Sequence, residues 1–171
     1  LVWGGALLSR IYVPRTVFAV SALGTGLVNL TLALIPLGLI MLVTGVSFHP
    51  ALVFLPLSIF LAAAFTMGVS LLLSSVAPVF PDIIEMYQVI LTAWYFLTPI
   101  FYPVKILPPK YGFWLTLNPM HHLIVAFRGP IYEGVFLSEL GLLVTTVLSL
   151  GTLGFGWFVF TKRADSIIYR L

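Results

Sequence analysis

The chain has no cysteine among its 171 residues, which excludes disulfides and thiolate metal sites. Charge is almost as scarce: 8% of the residues are Asp, Glu, Lys or Arg, against about a quarter in soluble domains. A net charge of +3, spread thinly, is too little for a nucleic-acid surface, so no nucleic-acid partner is expected. No GxxxxGK[ST] phosphate loop occurs, so the chain carries no recognisable ATP site of its own. There is no initiating Met and no complete signal peptide, so the chain is expected to begin partway through a larger protein. What it has in abundance is apolar sequence: 61% of residues are hydrophobic and the mean hydropathy is +1.16. A soluble core cannot absorb this much apolar surface in so short a chain, so most of it must face lipid.

Residues 16–81 contain no fixed charge, a run of 66 positions. As one helix it would be roughly 100 Å long, against a hydrocarbon core of ~30 Å, so it must fold back. The corner is placed at 45–50 (GVSFHP), where a glycine, a polar pair and a helix-starting proline coincide. This predicts one span over 17–44, kinked at Pro36, and a second over 51–76. Gly24, Gly26, Gly38 and Gly68 would let helices approach closely, or simply reflect how common glycine is in membrane helices. A second corner follows at 78–85 (PVFPDIIE), where Asp82 reads as an N-cap with Glu85 as its capping-box partner. The competing reading gives these acids a contact with a basic partner. The third span is predicted over 84–101 and the last over 140–160, where Gly151, Gly154 and Gly156 form a small face.

Between these spans lies a proline-punctuated stretch, 97–133, too long and too apolar for an ordinary inter-helix loop. Residues 111–127 are uncharged and 17 long, at the lower limit for a full crossing, yet include Asn118, Pro119, His121 and His122. Asn118 is a good N-cap with Pro119 at the first helical position; Arg128 suits the C-terminal end, and Gly129-Pro130 is expected to stop the helix. We read 104–137 as a re-entrant or interfacial helical segment, shielded by protein. With four full spans, Arg10, Arg15, Lys162, Arg163 and Arg170 fall on one side and Lys105, Lys110 and Arg128 on the other. That bias makes the termini cytoplasmic and the segment external. The two histidines diverge by about 100° on a helix, so they read as a polar surface and no metal site is expected. The fold class is all-α integral membrane: four transmembrane helices plus an outer re-entrant segment, in one transmembrane domain over 1–171.

Several motifs together carry a resemblance: SRIYVPR (9–15), VFPDI (79–83), TPIFYP (98–103) and LNPMHHLIVAFRGPIYEG (117–134). Pro-Ile-x-Tyr-Pro combined with Asn-Pro followed nine residues later by Arg is the most telling combination. The chain resembles the permease subunit of type-2 ATP-binding-cassette exporters, in the polysaccharide and polyol-phosphate branch (O-antigen, capsule, teichoic acid). The resemblance implies the last four spans of a six-span permease of the inner (cytoplasmic) membrane. It further implies a homodimer with a second copy, a cytoplasmic ATP-binding subunit that holds ATP and Mg, and no cofactor on this chain. It places Ile11, Tyr12, Pro14 and Arg15 in a cytoplasmic coupling corner (9–16) that touches the ATPase. Pro99, Pro103, Asn118, Pro119 and Arg128 would close the outer mouth. Family members carry Arg-Asp after the Phe of the second corner; here Pro81-Asp82 stands instead, so no salt bridge is carried over.

A lipid-linked glycan is polar but has apolar ring faces, on which Tyr87, Trp94, Tyr95, Phe101, Tyr102 and Trp114 would stack along a path. The alternative for each ring is anchoring in lipid or at the interface. Three other functions compete: export of a small hydrophobic drug or a lipid, ion-coupled transport, and a non-transporting scaffold. Ion coupling would want an ionisable group at mid-membrane, whereas every acid and base here lies near a corner.

Overall fold

The computed structural model describes residues 16–45, 48–77, 79–80, 82–100, 102, 106, 108, 110 and 112–168. The order is α1 (Thr16–Thr44), a 3-10 turn (Pro50–Phe54) leading into α2 (Leu55–Val76), α3 (Ile83–Leu97), α4 (Gly112–Leu117), α5 (Pro119–Arg128), a π-helical turn (Gly129–Glu133) and α6 (Glu139–Ile168). No strand occurs among the described residues. Three stretches are long and apolar enough to cross a bilayer: Ala19–Thr44, Pro50–Val76 and Glu139–Arg163.

The surface supports that reading. Val28, Leu32, Ile35, Leu39 and Ile40 are all more than half exposed, and Val43 reaches 87%. On α1 a side chain is buried only at Met41 among the described residues. A contiguous apolar surface of this extent is stable against lipid rather than water. The hydroxyls inside these helices follow the same rule. Ser21, Thr25, Thr31, Thr66, Thr92, Thr145 and Thr152 each donate to the carbonyl four residues back, at 2.6–3.0 Å. In lipid such a hydroxyl has no water to turn to, and its own helix supplies the acceptor.

The closest packing is between α2 and α6, and small residues make it possible. A Cβ at Gly68 would stand 2.5 Å from the carbonyl carbon of Thr152, and one at Gly156 would overlap the carbonyl oxygen of Gly68. The two backbones thus touch directly at one crossing. Gly24, Gly26, Gly38, Gly151 and Gly154 meet nothing within 4 Å, so of the glycines singled out from sequence only Gly68 and Gly156 serve close approach within this chain.

Three sequence expectations need correction. Asp82 precedes α3 but does not cap it: its backbone is already helical (φ −63°, ψ −17°) and its side chain makes no cap hydrogen bond. A capping side chain reaches the first amides from an extended backbone, which Asp82 lacks. The span expected over 84–101 ends as helix at Leu97, 15 residues or about 22 Å from its start. Thr98 is extended (φ −90°, ψ 130°) because Pro99 disfavours helix in the residue before it. Gly129-Pro130 does not stop α5 outright. The chain continues through the π-helical turn, and the left-handed residue that ends it is Gly134 (φ 63°).

Gly134 also meets a neighbour. A Cβ there would collide with the ring of His49, in the corner between α1 and α2. Phe54 and Phe136 close the same junction edge to face, centroids 5.4 Å apart. Gly134→Ala combines a left-handed penalty of about 1–2 kcal/mol with that collision. The thermal midpoint of the purified protein should fall by several degrees, and His49→Ala should restore part of it. A Gly134→Ala protein that melts like wild type would show that the junction yields freely.

Candidate functional site

Within the stretch 97–133, α4 and α5 form a helix pair joined at Asn118. α5 runs antiparallel to α2, as its successive contacts show. Near its start, Met120 and Leu123 pack with Leu61 and Phe65. Further on, the Ser58 hydroxyl donates to the carbonyl of Ala126 at 2.7 Å, in a buried setting. Beyond α5, the Gly129–Glu133 turn lies against Pro50–Phe54. The start of α5 at Asn118 is therefore the end of that helix farthest from the Pro50–Phe54 turn. It is level with Phe65 and Trp94, each eleven residues from the helix end at the corner joining α2 to α3.

A buried polar node occupies this tip. Asn118 is 8% exposed and Thr98 2%. The Asn118 Oδ1 accepts from the indole N–H of Trp94 (2.7 Å) and from the backbone N–H of Met120 (3.0 Å), the latter being the N-cap bond. Its Nδ2 donates to the hydroxyl of Thr98 at 3.0 Å. Thr98 in turn donates to the carbonyl of Trp94 at 2.8 Å. Pro119 follows at the first helical position, where a missing N–H leaves nothing unpaired. A buried network with its members paired is rigid and geometrically specific.

At the other end of α5, Arg128 Nη1 lies 3.4 Å from the Pro99 carbonyl and 3.5 Å from that of Ile100, and its guanidinium sits 5.7 Å from the Tyr132 ring centre. The structure thus brings Pro99, Asn118, Pro119 and Arg128 around the end of α3, while Pro103 lies outside the described residues. Phe101 and the corner residues Ile11, Tyr12, Pro14 and Arg15 also lie outside them.

The remaining aromatic candidates have separate surroundings. The Trp94 ring meets Phe65 edge to face at 6.4 Å. The Tyr102 hydroxyl reaches the carbonyls of Phe96 and Leu97 at 3.3 and 3.4 Å, over the frayed end of α3. Trp114 is 67% exposed beside Phe113. Tyr87 is half-buried and Tyr95 is exposed, pairing with Phe96 at 5.5 Å. The His121 and His122 rings do not point apart as expected but meet edge to face, their centres 5.7 Å apart, and His122 Nε2–H donates to the Thr116 carbonyl at 2.8 Å, fastening α4 to α5. A cavity of about 250 Å³ opens between α5, the π-helical turn and the start of α6, with His122, Glu133 and Ser138 among its lining residues.

Sequence reasoning did not single out Thr98 or Ser58. The available signal for Thr98 was a buried-type span ending at Thr-Pro, beside a Trp whose N–H needs an acceptor in lipid.

Residues 6–132 match the family model described as ABC-2 type transporter. The chain is 29% identical over 133 residues to the O-antigen export system permease protein RfbA of Myxococcus xanthus, covering 74% of this chain and 50% of that protein. It is 25% identical over 101 residues to the polysialic acid transport protein KpsM of Escherichia coli, covering 59% of this chain and 39% of that protein. The chain spans half or less of these relatives. With a family match over most of its length and three helices fit to cross a bilayer, this multi-pass integral membrane chain belongs to the ABC-2 type transporter family.

Proposed function

We propose that this chain is the membrane-spanning subunit of an ATP-driven exporter that carries a lipid-linked polysaccharide or polyol-phosphate polymer across the cytoplasmic membrane. The observation that carries the reading is the family match, with similar proteins named for O-antigen export and polysialic acid transport. Energy comes from a partner ATP-binding subunit, which holds ATP and Mg, and a second copy of the chain encloses the path. The cytoplasmic coupling corner is 11–15.

The geometry suits this task. The α4–α5 pair dips into the bilayer from outside to the depth of Trp94 and returns, so it closes the outer mouth without forming a further crossing. Exposed rings along α3 and α4 give a moving glycan apolar faces to slide on, with few hydrogen bonds to hold it. Neither Ala19–Thr44 nor Pro50–Val76 contains an acid or base of the kind an ion-coupled transporter carries at mid-membrane.

The test is ATP hydrolysis by the full-length complex in liposomes. Lipid-linked glycan should stimulate it severalfold and hydrophobic drugs should not. Stimulation by drugs alone would replace the glycan reading with small-molecule export.

A further inference from the structure

We propose that Trp94 and Thr98 are positioning residues which, with Asn118, latch the buried tip of the helix pair onto α3 and so hold the outer mouth shut. The word mouth rests on the export reading; the latch itself rests on side-chain geometry. α3 buries no residue of its own, so apolar packing secures it poorly. Its attachment to the tip runs through the Trp94 indole and the Thr98 hydroxyl, both bound to one amide at 2.7 and 3.0 Å. These bonds lie at mid-bilayer depth, where no water replaces a lost partner.

The chemistry of the node fits a latch better than a path wall. The Trp94 N–H is its side chain's sole donor, and Asn118 takes it, so a passing sugar hydroxyl would have to displace this part-buried bond to use it. Thr98 links two jobs. Its proton goes to the Trp94 carbonyl and finishes α3, while its lone pair accepts from Asn118. Where α3 stops is therefore tied to where the tip docks. Release of the tip would uncover the Leu61–Phe65–Leu123 cluster behind it.

The absence of cysteine from this chain makes the test clean. Leu123→Cys, placed in the full-length complex with any other cysteines removed, reports on the tip because Leu123 is buried. Trp94→Phe removes the indole bond to Asn118, and Thr98→Val removes, at nearly constant volume, the bond from Asn118 together with the hydroxyl's own bond to the Trp94 carbonyl. Each should raise the rate of labelling by a membrane-impermeant maleimide about tenfold, the scale of one buried hydrogen bond acting on an opening equilibrium. Thr98→Ser keeps the hydroxyl and should label near the wild-type rate. Rates within twofold of wild type for both Trp94→Phe and Thr98→Val would overturn the latch, as would Thr98→Ser labelling as fast as Thr98→Val. If neither variant folds, hydrogen exchange on the wild-type complex decides. The Met120 amide and the first turn of α5 should exchange far more slowly than α4, and equal rates would overturn the proposal. A complex that shows this pattern but ignores lipid-linked glycan sinks the export reading and leaves the latch standing.

Discussion

Gly156→Leu is expected to abolish the folded protein, while Gly154→Leu, two residues away on the same helix, leaves it nearly intact. The difference lies in what each backbone meets. At Gly156 any side chain would enter the space of the Gly68 carbonyl, and the reciprocal addition at Gly68 would meet the Thr152 carbonyl at 2.5 Å. Neither obstacle is the tip of a side chain that could swing away; both are backbone inside regular helices. Relief requires α2 and α6 to separate. The penalty therefore exceeds the ~1–3 kcal/mol of ordinary overpacking. It falls on the tightest helix pair, where van der Waals packing rather than the hydrophobic effect holds helices together in lipid. Gly154 has nothing within 4 Å. Recovery of monodisperse protein from mild detergent should separate the two variants. Equal damage from both would mean that the crossing is not what limits folding.

Asn118→Leu should cost about 3–5 kcal/mol, a large share of a typical 5–15 kcal/mol total. The side chain of Asn118 serves Trp94, Met120 and Thr98 at once. Leucine fills similar space but leaves two part-buried N–H donors without acceptors and the Thr98 oxygen without its donor. An isolated loss of an N-cap costs only about 1 kcal/mol, so the excess measures the node. A double-mutant cycle with Trp94→Phe, read from unfolding midpoints in detergent, should show a coupling near 1 kcal/mol. Additivity within the usual 0.3–0.5 kcal/mol would mean that the indole and the amide act independently.

The parts of this fold that read out of the sequence are those fixed by local chemistry and by solvent. The lipid environment followed from missing charge. The corner at 45–50 followed from His49-Pro50 after a glycine, and Asn118-Pro119 announced a helix start that the structure places there. The departures each have a non-local or stereochemical cause. Asp82 has the right side chain for a cap and the wrong backbone. The extended Thr98 cuts α3 short of the expected end, a rule visible at Thr98-Pro99 but outweighed by the apolar run through Phe101. The partnership of Gly68 with Gly156, and of Trp94 with Asn118, joins residues far apart in the chain, and composition cannot say which glycine faces which. For the proposed closure of the outer mouth, the resemblance pointed to Pro99, Asn118 and Arg128, while Thr98 emerged only from the hydrogen bonds.

The hydroxyls of α1 carry one last implication. Ser21, Thr25, Thr31 and Thr44 all turn back on carbonyls of their own helix. None of these four groups commits the helix to a particular neighbour. Rotation or sliding of α1 about its long axis would therefore break none of those bonds, whereas the same movement of α2 or α6 would drive backbone against backbone at Gly68 and Gly156.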